Sequence, residues 1–295
     1  MAAAGFWERG GRNPALGAFL ATTMIAALYS LAGNLVFLAY MLGDMEGMRA
    51  IDWNVFRSGI IERYRAPMLI LTMVFEFAFF GAGTYVVFRR WHGTPLGERF
   101  RFQLPAPAAL PLSLVGLAGL FPLALLAGEL FERAFPFIRE FEASSEGLTK
   151  ATDPASWALL VATVCVTPAL CEEFLFRGYL QGNVGRVIKS PWSYILTGGF
   201  FALIHQNYFG LGALLIIGIY LAFVFETSGS IWPGMLVHFI YNGAAVLLSN
   251  LKEPLSWAFG PEGFVRLPFV LASLPLAAVG IGSLLLLGRR RSLNS

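Results

Sequence analysis

Apolar residues run through the chain in long stretches broken by short polar connections. A spanning helix needs about 20 mostly apolar residues. Eight stretches are candidates: 15–42, 67–88, 107–131, 154–177, 191–207, 209–226, 231–250 and 264–288. The fifth and sixth are short and separated only by "QNYFG", which predicts a tight hairpin. Two connections, 43–66 and 132–153, are longer and mixed in charge. The second of these reads as a solvated connection rather than an interfacial helix. The pattern predicts an all-α polytopic membrane protein, a bundle of about eight transmembrane helices. No Gly/Ser-rich linker, low-complexity tract or repeat divides it, so residues 1–295 read as a single integral domain.

Composition agrees. Of 295 residues, 57% are hydrophobic and only 13% charged, about half the charged share of a soluble domain. The mean hydropathy is +0.66. A net charge of +3 does not point to nucleic acid; it matches the small basic excess of cytoplasmic loops. Arg9, Arg12, Arg89, Arg90, Arg99, Arg101, Arg186, Lys189 and Arg289–Arg291 all fall on one side of an eight-span topology. That side is read as the cytoplasm, with both termini there. The first stretch is too long for a signal peptide and reads as a retained helix. Short loops and abundant small apolar residues point to a prokaryotic cytoplasmic membrane. Cys165 and Cys171 lie six residues apart on one helix, facing opposite ways, and read as small buried residues.

Few ionisable groups fall inside the stretches: Glu76, Glu129, Glu172, Glu173, Arg177, His205 and His238. A charge at the bilayer centre costs roughly 2.5–3.5 kcal/mol on insertion scales, so such groups face a bundle interior or wet cavity and carry function. In "CEEFLFRGYL" Glu173 and Arg177 are spaced i, i+4 and predict a pair. Glu172 is turned by about 100° from Glu173 and points elsewhere. His205 follows Phe201 by four residues, and Asn242 follows His238 by four. Helix rise puts Glu172 and His238 at similar depths in the cytoplasmic half and His205 somewhat deeper, which a tilted or offset fifth helix would reconcile. Glu76 either faces a cavity or lies in an offset span, and it and Glu129 read as structural; His92, in the basic loop "RRWHG", reads as solvated.

One free carboxylate, two histidines, an amide and a Glu–Arg pair suit peptide-bond hydrolysis by activated water. A desolvated glutamate serves as general base, a histidine shares the proton, and a second histidine with an amide stabilises the oxyanion. No serine or cysteine has a demonstrable base beside it. Two histidines and a glutamate also suit zinc. HExxH is absent and the histidines lie on different helices, so no cofactor is expected, with zinc left as the competing chemistry.

At these residues the chain resembles the CAAX-protease-and-bacteriocin-processing (Abi) family of glutamate-dependent intramembrane endopeptidases, which includes the type II CAAX prenyl proteases. The family pattern EExxxR, FxxxH, HxxxN is met in order by Glu172-Glu173…Arg177, Phe201…His205 and His238…Asn242. The resemblance covers about 154–250, read as the catalytic core. It implies that Glu172 activates water with help from His205, that His238 and Asn242 form the oxyanion site, that Glu173 and Arg177 order the site or hold substrate, and that Phe201 lines it. It also implies a protein or peptide substrate, lipid-modified or membrane-anchored, met within the bilayer. The other readings are a non-catalytic membrane scaffold or immunity factor on the same fold and, behind it, a transporter, whose internal repeats or broken helices are not seen. Residues 1–150 match nothing specific.

Overall fold

The computed structural model describes residues 5–49, 56–92, 95–135, 146–205, 210–250, 255, 257–260 and 264–294. Each of the eight apolar stretches corresponds to a helix: α1 (Pro14–Gly43), α2 (56–91), α3 (Ala109–Ala134), α4 (Pro154–Val184), α5 (Trp192–Ile204), α6 (Leu211–Ser228), α7 (Trp232–Asn250) and α8 (Leu267–Asn294). Among the described residues the only strand-like pairing is an isolated bridge between Phe259 and Val265. The protein is an all-α polytopic membrane protein. Among the described helices, six are long and apolar enough to cross a membrane, namely all but α5 and α7. With 13 residues, α5 spans about 20 Å, short of the roughly 30 Å hydrocarbon core. Helix α7 has the length, but Pro233, His238, Asn242 and Asn250 dilute its hydropathy.

The sequence-based boundaries fail where a helix continues past its apolar stretch. Helix α2 starts at Phe56, inside the expected connection 43–66. Its extension is held by polar contacts that hydropathy does not register: Arg63 pairs with Asp44 at 3.0 Å and the Tyr64 hydroxyl donates to the same carboxylate at 3.0 Å. Helix α4 runs to Val184, beyond the expected residue 177. There Gln181 donates to the Ala222 carbonyl at 2.8 Å and Asn183 to the Tyr179 carbonyl at 2.7 Å. The expected hairpin at "QNYFG" falls mostly on 206–209, and the middle of the 132–153 connection on 136–145; both lie outside the described residues.

Capping fixes the helix starts that matter most. Asn13 accepts from the Ala15 and Leu16 amides, with Pro14 in the first turn of α1. Asp153 and Ser156 form a reciprocal capping box on α4, again with a proline at the first position. From there α4 passes through the middle of the protein. Most of its apolar window is buried, whereas α1 and α2 present most of theirs to the surroundings. Leu175, Phe176, Tyr179 and Leu180 of α4 share one core with α1, α2 and Phe201 of α5. A second core joins α3, α6, α7 and α8 through Leu117, Leu221, Val237 and Leu284. Helices α5 and α6 meet at Gly198 and Gly218, where a Cβ on either would strike the other's backbone.

His92 departs from expectation. It is fully buried, its Nε2 lies 3.1 Å from the Tyr179 hydroxyl, and its Nδ1 lies 3.5 Å from Glu8. Burial pushes its pKa below the usual histidine value; Glu8 opposes the shift, and Arg99 and Arg186 add to it. The cause is the short helix Phe6–Arg9, which folds over the end of α2 and stacks Trp7 on Trp91 at 5.2 Å. Glu8 also reaches Arg186 at 2.7 Å and Arg99 at 3.5 Å.

Candidate active site

Helix α4 is built of alternating windings. An ordinary stretch, Pro154–Leu160, leads into wide i→i+5 turns over Val161–Val166. Ordinary winding resumes over Thr167–Glu172, then widens again from Glu173 to Gln181. Wide turns of this kind concentrate at functional sites. Pro168 supplies part of the cause. An ordinary helix would bond the Val164 carbonyl to the N–H of residue 168, and proline has none. The Asn242 side chain takes that place, donating from Nδ2 to the Val164 carbonyl at 2.8 Å. Asn242 thus ties α7 to α4 one turn from His238. An amide nitrogen has a second hydrogen, which this bond leaves over.

Three helices converge on Glu172. His205, at the end of α5, places Nε2 3.2 Å from the Glu172 Oε2. His238, on α7, places Nε2 3.7 Å from the same oxygen. The far side of each ring is fixed. His205 Nδ1 lies 2.8 Å from the Phe201 carbonyl, which only accepts, so Nδ1 carries a proton. His238 Nδ1 lies 3.0 Å from Glu173 Oε1, and with Glu173 as acceptor it too carries a proton. In a neutral ring the remaining nitrogen is bare. Both remaining nitrogens therefore face Glu172, and at 3.2 Å a single proton placed between His205 and Glu172 would join the two.

Behind this constellation lies the expected Glu173–Arg177 pair. Arg177 Nε is 3.4 Å from Glu173 Oε2, and both side chains are 0% exposed. The guanidinium also donates to the Gly218 carbonyl at 3.3 Å and lies 4.7 Å from the centre of the Phe201 ring. Phe201 packs between both histidines, with ring centres 4.1 Å from His205 and 5.9 Å from His238. Glu173 thus serves two partners, Arg177 and His238. Glu172, turned away from Arg177 as its spacing implied, serves the two histidines.

The front of the site opens into a cavity of about 400 Å³. Glu172, His205 and Phe176 form one wall, and α1 and α2 form the other with Tyr29, Asn34 and Glu76. The N-terminal helices, which carry no motif, therefore face the carboxylate directly. Sequence reading assigned Glu76 a structural role; the signal available was a lone carboxyl in "MVFEFAFF". Glu129, also read as structural, pairs with Arg133 at 2.7 Å and accepts from the Val265 amide at 3.1 Å, away from the cavity. Both cysteines are buried and free. Among the described residues no group of three or more His, Cys, Asp and Glu side chains is arranged to hold a metal ion.

A carboxylate flanked by two oriented histidines inside a helical membrane protein defines a class of site suited to acid–base chemistry on a buried bond. Residues 154–244, which contain all seven motif positions, match the family model Type II CAAX prenyl endopeptidase Rce1-like. The resemblance expected from the motifs is met, and the match supports a membrane endopeptidase of that family. No curated protein and no solved structure matches the chain.

Proposed function

We propose that the protein is a glutamate-dependent intramembrane endopeptidase, with Glu172 as the base that activates water. The observation that carries this reading is the convergence of both imidazole Nε2 atoms on one oxygen of Glu172, at 3.2 and 3.7 Å. A water entering from the cavity meets Glu172 and His205 together. It gives a proton to that pair as its oxygen bonds to the substrate carbonyl carbon, whose π bond opens to an oxyanion. Once the pair holds the water's proton as well as its own, Glu172 passes one to the bare Nε2 of His238, 3.7 Å away; His238 then donates to the oxyanion and returns that proton to Glu172 on collapse, and Asn242 one turn away adds its remaining N–H. Collapse of the intermediate restores the carbonyl and breaks the C–N bond, and the leaving amine takes the proton back from the His205–Glu172 pair.

The proposed substrate is a protein or peptide, prenylated or otherwise anchored in the membrane, whose scissile bond enters the cavity beside Glu172. The proposed location is a prokaryotic cytoplasmic membrane with both termini in the cytoplasm. The test uses purified wild type and Glu172→Gln, each with a farnesylated CAAX peptide and a membrane-proteome extract, with and without chelator. Cleavage by wild type in chelator, absent in Glu172→Gln, is the expected outcome. Activity lost in chelator and restored by zinc moves the chemistry to a metal. A well-folded wild type that cleaves nothing favours the scaffold reading.

A further inference from the structure

Glu76 is used neither by the chemistry above nor by the region that matches the family, which begins at residue 154. It lies in an apolar span at the start of the wide-turn stretch Glu76–Gly83 of α2, and is only 5% exposed. Its Oε2 is buried without a hydrogen-bond partner, yet the residue lines the same cavity as Glu172. Two other in-span glutamates have cations: Arg133 for Glu129 at 2.7 Å and Arg177 for Glu173 at 3.4 Å. Glu76 has no such ion pair, and among the described residues lining the cavity there is no lysine or arginine. A buried carboxyl without a partner works against folding. That cost is relieved if the partner arrives with whatever fills the cavity.

We propose that Glu76 is a substrate-binding residue of the cleft, accepting a hydrogen bond from an N–H donor of the peptide whose scissile bond lies at Glu172. This rests on the reading of Glu172 as the site of hydrolysis. The donor is either a lysine or arginine side chain or a main-chain amide of the unwound peptide, which must satisfy its backbone inside the bilayer. Two carboxyls on facing walls also disfavour a peptide that brings a carboxylate of its own. The N-terminal helices, through Glu76, would thus hold what the motif-bearing helices cut, and select it where the donor is a side chain.

Binding can be read without turnover. In the Glu172→Gln protein Glu76 is the only carboxyl side chain among the described residues lining the cavity. Three fluorescent leucine–alanine peptides, identical except for lysine, norleucine or glutamate at the centre, are titrated into it in detergent. Glu76→Leu and Glu76→Gln are then added to that background. A preference of about tenfold for lysine over norleucine, with glutamate weakest, lost in Glu76→Leu, is expected for a cationic donor. Equal binding of the lysine and norleucine peptides, both weakened about tenfold by Glu76→Leu but spared by Glu76→Gln, assigns the main-chain amide instead. Binding unchanged by either substitution, or no binding of any peptide, overturns the proposal. Thermal unfolding should show Glu76→Leu no less stable than its parent; if it is less stable, Glu76→Gln alone decides by losing or keeping the lysine preference. Failure of wild type to hydrolyse the same peptides bears on Glu172 and not on this result.

Discussion

Replacing Arg177 by methionine isolates the electrostatics that hold the site. Both partners of the Arg177–Glu173 pair are 0% exposed, 3.4 Å apart. Removing the cation leaves Glu173 buried with only His238 beside it. Breaking a buried pair from one side costs about 3–5 kcal/mol, because the orphaned charge keeps its desolvation penalty. Against a net stability of about 5–15 kcal/mol that is a large loss. The double variant Glu173→Gln/Arg177→Met removes both charges and should recover much of it. What stays lost is the bond to the Gly218 carbonyl and the contact with the Phe201 ring. Unfolding of the purified protein in detergent, by heat or by titration with SDS, measures all four members of the cycle. A coupling energy of at least about 2 kcal/mol is expected, within the range for residues sharing one network. If Arg177→Met costs less than about 1 kcal/mol, or the double variant is as unstable as the two single losses added, the pair is not what compensates the buried carboxylate.

Asn242→Leu removes the donor that meets the Val164 carbonyl in place of the N–H that Pro168 lacks. It should cost about 1–3 kcal/mol in the same unfolding assay, and a loss of hydrolysis with full stability would place the amide's role in catalysis alone. His92 gives a pH effect whose sign is fixed by its lowered pKa. The folded state binds the proton less readily than the unfolded state, so the contribution is complete above about pH 6.5 and is lost as pH falls below that value toward the folded pKa. Wild type should therefore melt at lower temperature near pH 5 than near pH 7.5, and His92→Gln should flatten part of that dependence; an unchanged slope would remove His92 as a contributor.

The motif residues were legible because the membrane makes them so. Every charge inside an apolar stretch is an exception, and the spacing of Glu173 from Arg177 already places them on one helical face. What spacing does not reveal is who shares a partner. That Glu173 bonds to His238 as well as Arg177 depends on how α7 sits against α4, a tertiary fact. The extension of α2 to Phe56 was hidden because Arg63 and Tyr64 are satisfied by Asp44, far back in the sequence. A hydropathy window reads such residues as solvated loop. His92 was misread for the same reason in reverse: its loop looks exposed until Phe6–Arg9 covers it. Glu76 was visible as an anomaly, but its significance depends on the cavity it shares with Glu172, and that needs the packing of α1 and α2.

Adjacent glutamates on one helix make sense once the two nitrogens of His238 are followed. Nδ1 goes to Glu173 at 3.0 Å and Nε2 faces Glu172 at 3.7 Å, so neighbouring carboxyls straddle a single ring. Arg177 balances the charge on Glu173, and the proton shared by His205 and Glu172 leaves that second pair neutral. The site therefore holds five ionisable groups with little net charge, which makes it tolerable inside the bilayer. The arrangement separates two duties of Glu173, orienting His238 and neutralising Arg177. Glu173→Gln keeps an oxygen that can accept from Nδ1–H, so the ring and its bare Nε2 stay aimed at Glu172, while the charge balance is lost. Glu173→Leu loses both. Each variant should be destabilised by the uncompensated Arg177, but Glu173→Gln should retain about tenfold more hydrolysis per folded molecule than Glu173→Leu, the scale of a misoriented catalytic group. Equal activity of the two, measured at matched folded fraction on the same peptide, would mean that His238 is held in place by something other than Glu173.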